Sequence, residues 1–257
     1  YIGAGGEYAG YAFGQLSVSE DGGNNWITYS SDCPFSDIEF INTNTGIAGA
    51  GVSYSFESDG GIYKTTNGGV NWNQVLDDNF IYINVDFPNS MTGYAAAYHW
   101  ADFGYNHDKV VKTTNGGENW FTIRFDSTDW FTPRYKKMQF LNVNTGYLLF
   151  DNLFKTIDGG KNWTEPYPFP YDSAKSFHFI NAETGWVSGY LNGKIYKTTN
   201  GGSNWVTEDI PLTNCAGEIF WVSLVPEAST MADRRFFYLI HRAQHAILKF
   251  NDARLME

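Results

Sequence analysis

Seven carboxylates, Glu7, Glu57, Asp59, Asp102, Asp126, Asp129 and Asp172, stand in stretches of chain that no other part of the sequence repeats. Glycoside hydrolysis needs two such groups about 5 to 10 Å apart, one as acid and one as base or nucleophile. The competing reading is solvated loop charge in an acidic chain, whose formal net charge is −11. His99 and His107 flank Asp102 and Asp108, a mixture of metal-ligand types. No third spaced His or Cys motif accompanies them, so neither a metal nor another cofactor is expected.

The same unrepeated stretches, at 6–14, 52–60, 99–108, 125–136 and 165–175, are rich in rings. Tyr8, Tyr11, Tyr54, His99, Trp100, Trp130, Tyr167 and Tyr171 lie there, with Asp102 and Arg134 beside them. Loops are ordinarily polar, so rings gathered in loops predict a contact surface for a protein or glycan partner. The alternative is that they pack over strand ends as local cores.

What must position these stretches is a repeat. Lys197 to Trp205 reads Lys-Thr-Thr-Asn-Gly-Gly-Ser-Asn-Trp, and variants of it end at Trp26, Trp72, Trp120 and Trp163, at spacings of 46, 48, 43 and 42 residues. Each copy carries an Asp or Asn (Asp21, Asn67, Asn115, Asp158, Asn200), then glycine, then Asn-Trp ending at Trp26, Trp72, Trp120, Trp163 and Trp205. This is the chemistry of a tight hairpin: the Asx side chain folds onto backbone N–H groups and glycine supplies positive φ. The tryptophan leaves the turn and can wedge between neighbouring sheets. No helix pattern or Lys-[Ser/Thr] follows the glycine pairs, which argues against a phosphate loop.

A second motif alternates with the first: Phe40-Ile41-Asn42 with Thr45-Gly46, Phe87-Pro88-Asn89 with Thr92-Gly93, Phe140-Leu141-Asn142 with Thr145-Gly146, and Phe179-Ile180-Asn181 with Thr184-Gly185. Each predicts strand, turn and strand. Over 177–208 the template is four strands, at 177–180, 186–190, 194–198 and from 205, the pattern of one propeller blade. The fold class is therefore all-β, a propeller of four-stranded antiparallel blades over residues 1–228.

The turn motif resembles the Asp box, or bacterial neuraminidase repeat, of sialidases, sortilin-type receptors, two-propeller xyloglucan hydrolases and photosystem II assembly factors. The pairing with Phe-x-Asn-x-x-Thr-Gly is most similar to the assembly-factor subgroup. In those families the box is a structural turn facing away from the ligand. A retaining sialidase holds its substrate with three arginines, whereas residues 1–228 contain only Arg124 and Arg134, so that activity does not carry over. The resemblance leaves two functions open, a non-catalytic recognition or assembly module and a glycoside hydrolase.

Tyr1 to Gly5 aligns with the second strand of the template, so the first blade lacks its inner strand. Glu218 to Leu224 is a strand with nothing of the template behind it, and supplying the missing strand would close five blades. Cys33 and Cys215 precede neighbouring inner strands in such a ring and are placed for a disulfide, with free thiols as the alternative. Residues 229–257 hold five basic and three acidic side chains, and Phe236, Ile240, Ala243, Ile247 and Phe250 fall at helical spacing. An amphipathic C-terminal helix is expected there. Val225–Thr230 resembles the start of a PEP-CTERM sorting signal without the apolar segment that follows, and Met231–Glu257 resembles the opening helix of MarR-type regulators without their winged helix. Neither function carries over.

The acidic charge argues against a nucleic-acid partner, which requires clustered Lys and Arg. No apolar run reaches about 18 residues, so no membrane span is expected. A start at Tyr1 suggests a processed chain, and the setting expected for it is extracellular, cell-surface or periplasmic.

Overall fold

The structure, a computed structural model, describes residues 2–8, 11–19, 23–31, 34–54, 57–100, 105–129, 137–149, 153–165, 174–189, 195–208, 218–220, 236–240 and 247–251. Cys33, Cys215 and Asp21 lie outside these residues. The chain divides into two compact units, residues 1–148 with 155–164, and residues 149–154 with 165–257.

In the first unit, the opening sheet runs β1 (Ile2–Tyr8), β2 (Tyr11–Val18) and β3 (Ile27–Ser31). The second has four strands in sequence order, β4 (Phe35–Phe40), β5 (Gly46–Tyr54), β6 (Glu57–Thr65) and β7 (Asn73–Asp78). The third repeats this with β8 (Ile81–Asp86), β9 (Gly93–Trp100), β10 (Tyr105–Thr113) and β11 (Phe121–Asp129). A fourth sheet, of which residues 149–154 are assigned to the second unit, contains β12 (Lys137–Phe140), β13 (Gly146–Leu149) and β14 (Leu153–Thr156), extended by a bridge from Lys155 to Thr164. The pairings within the first three sheets, and the Lys155–Thr164 bridge of the fourth, are antiparallel.

Strand position within a sheet follows composition. Second strands are built from small and apolar residues because both their faces are covered: Ile47, Ala48 and Ala50 in β5, and Tyr94, Ala95, Ala96 and Ala97 in β9, are inaccessible to solvent. The fourth strand β7, Asn-Gln-Val-Leu-Asp-Asp, is half exposed. A layer of Ile47, Ile62, Tyr82, Val85, Phe87, Ala95, Ala97 and Val111 fills the space between the second and third sheets. Burial of this apolar layer is the main favourable term holding the sheets face to face.

Each Phe-x-Asn…Thr-Gly motif is a packing unit. Phe40 pairs with Gly46 and Phe179 with Gly185 across the strands, and the ring lies over the glycine. A side chain at Gly46, Gly93, Gly146 or Gly185 would run into the ring of Phe40, Phe87, Phe140 or Phe179. The tryptophan that ends each turn then meets the same phenylalanine edge-on: Phe40–Trp72 at 6.0 Å, Phe87–Trp120 at 5.9 Å, Phe140–Trp163 at 6.0 Å and Phe179–Trp205 at 6.2 Å between ring centres. Trp26, whose sheet has no such phenylalanine, is 44% exposed.

The second unit contains β15 (Ala174–Phe179), β16 (Gly185–Gly189), β17 (Ile195–Thr198) and β18 (Val206–Glu208) in one sheet, within a few residues of the four-strand template. Its last sheet corrects two expectations. β19 (Glu218–Phe220), β20 (Phe236–Ile240) and β21 (Ile247–Asn251) form a three-stranded antiparallel sheet. The described residues of the tail are thus strands at Phe236–Ile240 and Ile247–Asn251, where an amphipathic helix was expected. Phe-Phe-Tyr-Leu-Ile at 236–240 is a continuous aromatic and branched run suited to a strand, and the helical spacing arose from reading across two strands. Glu218 pairs with Ile240 and Phe220 with Tyr238, so this segment opens a sheet of its own rather than completing the first. The described residues form six sheets, not the five expected.

Candidate functional site

The two ends of each sheet have different chemistry. At one end lie the repeated turns. Buried Thr65 accepts the N–H of Gly69 at 3.0 Å and donates its hydroxyl proton to Asn67 Oδ1 at 2.9 Å, which in turn accepts the N–H of Asn71 at 2.9 Å. The Trp72 indole N–H closes the turn on Gly69 O at 3.1 Å. Thr113, Asn115, Gly117, Asn119 and Trp120 repeat this set, as do Thr156, Asp158, Gly160, Asn162 and Trp163. Thr198, Asn200, Gly202 and Asn204 make the same three bonds, and Ser19, Gly23 and Trp26 keep two of the contacts.

The Thr-Gly turns share that end. Asn42, Asn89, Asn142 and Asn181 each accept two backbone N–H groups through Oδ1, at 2.7 to 2.9 Å. Gly68, Gly116, Gly159 and Gly201 then donate to carbonyls of the neighbouring Thr-Gly turns, those of Asn44, Met91, Asn144 and Glu183. Lys64 reaches from one sheet to Gly116 O at 2.8 Å and Glu118 at 2.6 Å in the next. The polar groups of this edge are spent on the fold.

At the opposite end are the hairpin tips. Tyr8 pairs with Tyr11, Tyr54 with Glu57, and Trp100 with Asn106, while Gly46–Thr65 and Gly93–Thr113 mark the turn end of the same strands. The backbone thus puts Tyr8, Tyr11, Tyr54 and Trp100 at one edge, as expected from the sequence. Glu7, Glu57, Asp59, Asp126 and Asp129 are strand residues toward that edge. Asp102, Trp130, Arg134, Tyr167, Tyr171 and Asp172 lie outside the described residues.

His99 is the expected contact residue whose side chain is described. It stands directly across from His107, the rings parallel within 2° and 6.2 Å apart. Its Nδ1 is 2.6 Å from Asn79 O and its ring lies 5.5 Å from Phe80. Below it, Asp78 Oδ2 accepts both Lys109 Nζ at 2.7 Å and the Tyr82 hydroxyl at 3.0 Å, and Lys109 sits 4.7 Å over Phe80. Burial and the Asp78 charge push the Tyr82 hydroxyl pKa far up. Among the described residues no group of three or more His, Cys, Asp or Glu is arranged to hold a metal.

A third set of groups was not singled out in the sequence. The innermost strands β4, β8 and β12 alternate polar and apolar residues, and their polar side chains bond to the backbone of the next inner strand. Asp37 Oδ2 accepts Asn84 Nδ2 at 2.6 Å and the Val85 N–H at 2.9 Å, and Glu39 Oε2 accepts the Phe87 N–H at 2.7 Å. One sheet on, Asn84 Oδ1 accepts the Met138 N–H at 2.9 Å, and Asp86 accepts that of Phe140. Burial, then the charges of Asp86 and Asp37, push the Glu39 carboxyl up to about 8 against the pull of the Phe87 N–H. Burial likewise raises Asp86 to about 7, opposed by the Phe140 N–H. Lys137 is pushed down to about 8 by burial, with Asp37 and Asp86 drawing it back. The sequence signal was the alternation Asp-Ile-Glu-Phe, Asn-Val-Asp-Phe, Lys-Met-Gln-Phe.

No protein-family model and no curated protein matches the chain. Solved structures do. YCF48 bound to D1 peptide superposes with a TM-score of 0.52 at 14% identity, over 80% of this chain and 60% of that one. YCF48 from Cyanidioschyzon merolae gives 0.57 at 13% identity, over 91% and 74%. An ancestral GH74 enzyme gives 0.61 at 19% identity, over 82% of this chain and 29% of the enzyme. These likenesses, with the repeated antiparallel sheets, establish an all-β propeller fold. The chain spans 60% of the first YCF48 structure and less than a third of the GH74 enzyme.

Proposed function

We propose that this protein is a non-catalytic recognition or assembly propeller that binds a protein or glycan partner through the hairpin-tip edge, outside the cytoplasm. The observation that carries the reading is the contrast between the two edges: turn-edge polar groups are tied to backbone, while Tyr8, Tyr11, Tyr54, His99 and Trp100 gather at the tips. Large rings suit shape-matched contact. The hydrogen bonding of the repeated turn supports reading it as an Asp box, and the combination with the Phe-x-Asn…Thr-Gly motif favours the photosystem II assembly-factor-like subgroup. The likeness to YCF48 bound to D1 peptide supports a peptide-like partner.

The test is binding to panels of immobilised peptides and glycans. Trp100→Ala and Trp130→Ala are expected to weaken whatever is bound by about tenfold or more, as anchoring rings do, with melting unchanged. Binding that is indifferent to both substitutions would end the reading.

The likeness to a GH74 enzyme favours one alternative, glycoside hydrolysis by the carboxylates of the unrepeated stretches, Asp102 among them. Cleavage of xyloglucan, lost on changing a carboxylate to its amide, would replace the binding reading.

A further inference from the structure

Three of the five repeated turns set asparagine directly before glycine, Asn67-Gly68, Asn115-Gly116 and Asn200-Gly201, and a fourth has Asp158-Gly159. In a flexible chain, Asn-Gly is the pair most prone to self-attack. Glycine has no side chain to obstruct the approach and its backbone turns freely.

The folded turn holds both reacting groups elsewhere. The nucleophile would be the glycine nitrogen after loss of its proton. That N–H is bonded to a carbonyl in each case: Gly68 to Asn44 O at 2.9 Å, Gly116 to Met91 O at 2.8 Å, and Gly201 to Glu183 O at 2.7 Å. The electrophile is the side-chain amide carbon. Its oxygen is pinned by the turn threonine at 2.9, 2.9 and 3.0 Å, and by the N–H of Asn71, Asn119 and Asn204 at 2.9, 3.0 and 2.9 Å. The glycines are fixed at φ of +72°, +67° and +68°.

We propose that Asn67, Asn115 and Asn200 are latent deamidation sites, silenced by the folded turn and released when a turn opens, and that the turn keeps the aspartate product but not the isoaspartate. In the step itself, the glycine nitrogen bonds to the asparagine Cγ, the Cγ–Nδ2 bond breaks, and ammonia leaves. Water then opens the cyclic imide at either carbonyl, giving aspartate or isoaspartate.

Asp158 shows how the turn receives the first product. Its Oδ1 accepts the Thr156 hydroxyl and the Asn162 N–H, both at 2.9 Å, as the asparagines do, and its Oδ2 gains the Asn162 side-chain amide at 2.7 Å. Those donors hold its carboxyl down to about 2. Isoaspartate routes the main chain through its Cβ, one carbon longer between its own nitrogen and the glycine, and leaves the carboxylate directly on Cα, one carbon shorter. It cannot keep both the Thr-to-Asx bond and the glycine-to-carbonyl bond.

The test is peptide mass mapping of the full chain held at mildly alkaline pH, folded and in denaturant. All three sites are expected to convert at least about tenfold more slowly when folded, which corresponds to ~1.4 kcal/mol of opening. Equal rates would overturn the proposal. Thr65→Val should raise the folded-state rate at Asn67 alone, with Asn115 and Asn200 as internal references. No rise at Asn67, or an equal rise at all three, would overturn the claim that each turn silences its own asparagine. Among molecules recovered folded, aspartate should predominate at these positions. Isoaspartate there in equal share would overturn the second half.

Discussion

The Glu39 carboxylate accepts the backbone N–H of Phe87 at 2.7 Å, joining the inner strand of one sheet to that of the next. The two residues belong to different repeats. In an ordinary sheet that N–H would bond to a backbone carbonyl, but inner strands of neighbouring sheets are too splayed to form a ladder. Side chains take the carbonyl's place, and an unpaired buried N–H is avoided. Asp37 with Val85, Asn84 with Met138 and Asp86 with Phe140 repeat the device.

These groups make stability depend on pH in a definite direction. Glu39 and Asp86 are raised from 4.5 and 3.8 to about 8 and 7, so the folded state binds more protons than the unfolded chain over that interval. Their contribution is fully present below their unfolded values and is lost as pH rises toward 8. Lys137, lowered from 10.5 to about 8, acts in the opposite sense, and its cost is relieved between pH 8 and 10.5. Denaturant titrations should show this cluster contributing least near pH 8. Glu39→Gln should flatten the fall between pH 4.5 and 8 while leaving the alkaline limb; an unchanged profile would exclude Glu39 as its source.

The repeated turns predict a graded series. Thr113→Val removes the acceptor for Gly117 N–H and is expected to cost about 1–3 kcal/mol, the penalty of an unpaired buried group. Gly117→Ala should be at least as harmful, because φ is +82° and a methyl group would meet Ile47 of the preceding sheet. Chemical denaturation of both variants measures this.

Removing a ring tests the Phe–Gly–Trp unit. Phe87→Ala is expected to cost about 3–5 kcal/mol, the range for a large buried aromatic. It should also redden and weaken the Trp120 fluorescence contribution, since Trp120 loses its edge-on neighbour. Gly93→Ala, which forces the Phe87 ring aside, should give a milder version of both changes.

Beneath the hairpin-tip edge, Lys109→Met leaves Asp78 with the Tyr82 hydroxyl but no counter-charge. A loss of about 1–3 kcal/mol is expected. Tyr82→Phe, which deletes one neutral donor, should cost about 0.5–1.5 kcal/mol on the same scale. Thermal melts of the two variants and the double variant will show whether the three groups act as a unit.

Asp158 should titrate at about 2, well below an ordinary aspartate, and carboxyl NMR titration reads this directly. Because its folded value is depressed, its contribution is present above 3.8 and lost as pH falls toward 2. Asn162→Ala removes the side-chain donor and should move the titration upward.

The repeated turns, the Phe-x-Asn…Thr-Gly hairpins and the blade-sized sheets were legible in the amino-acid order. Their determinants lie within a few residues of one another: Thr65 bonds to Asn67 and Gly69, and Asn42 to Asn44 and Thr45. Local chemistry of that kind is written in spacing. Placement of the aromatic tips at one edge also followed, because strand alternation fixes which end of a hairpin each loop occupies.

Other features depended on partners far along the chain. Asp37 and Glu39 read as ordinary charges until the fold brings Val85 and Phe87, 48 residues on, to their oxygens. Phe236 to Asn251 has a spacing compatible with a helix, and only pairing decides otherwise: Glu218–Phe220 supplies an edge to Tyr238–Ile240, which pairs in turn with Ile247–Lys249. A helix satisfies its backbone from within, whereas a strand needs a neighbour that sequence order does not name. Turns and repeats were therefore fixed by the sequence alone, and the inter-sheet carboxylates and the last sheet by tertiary structure.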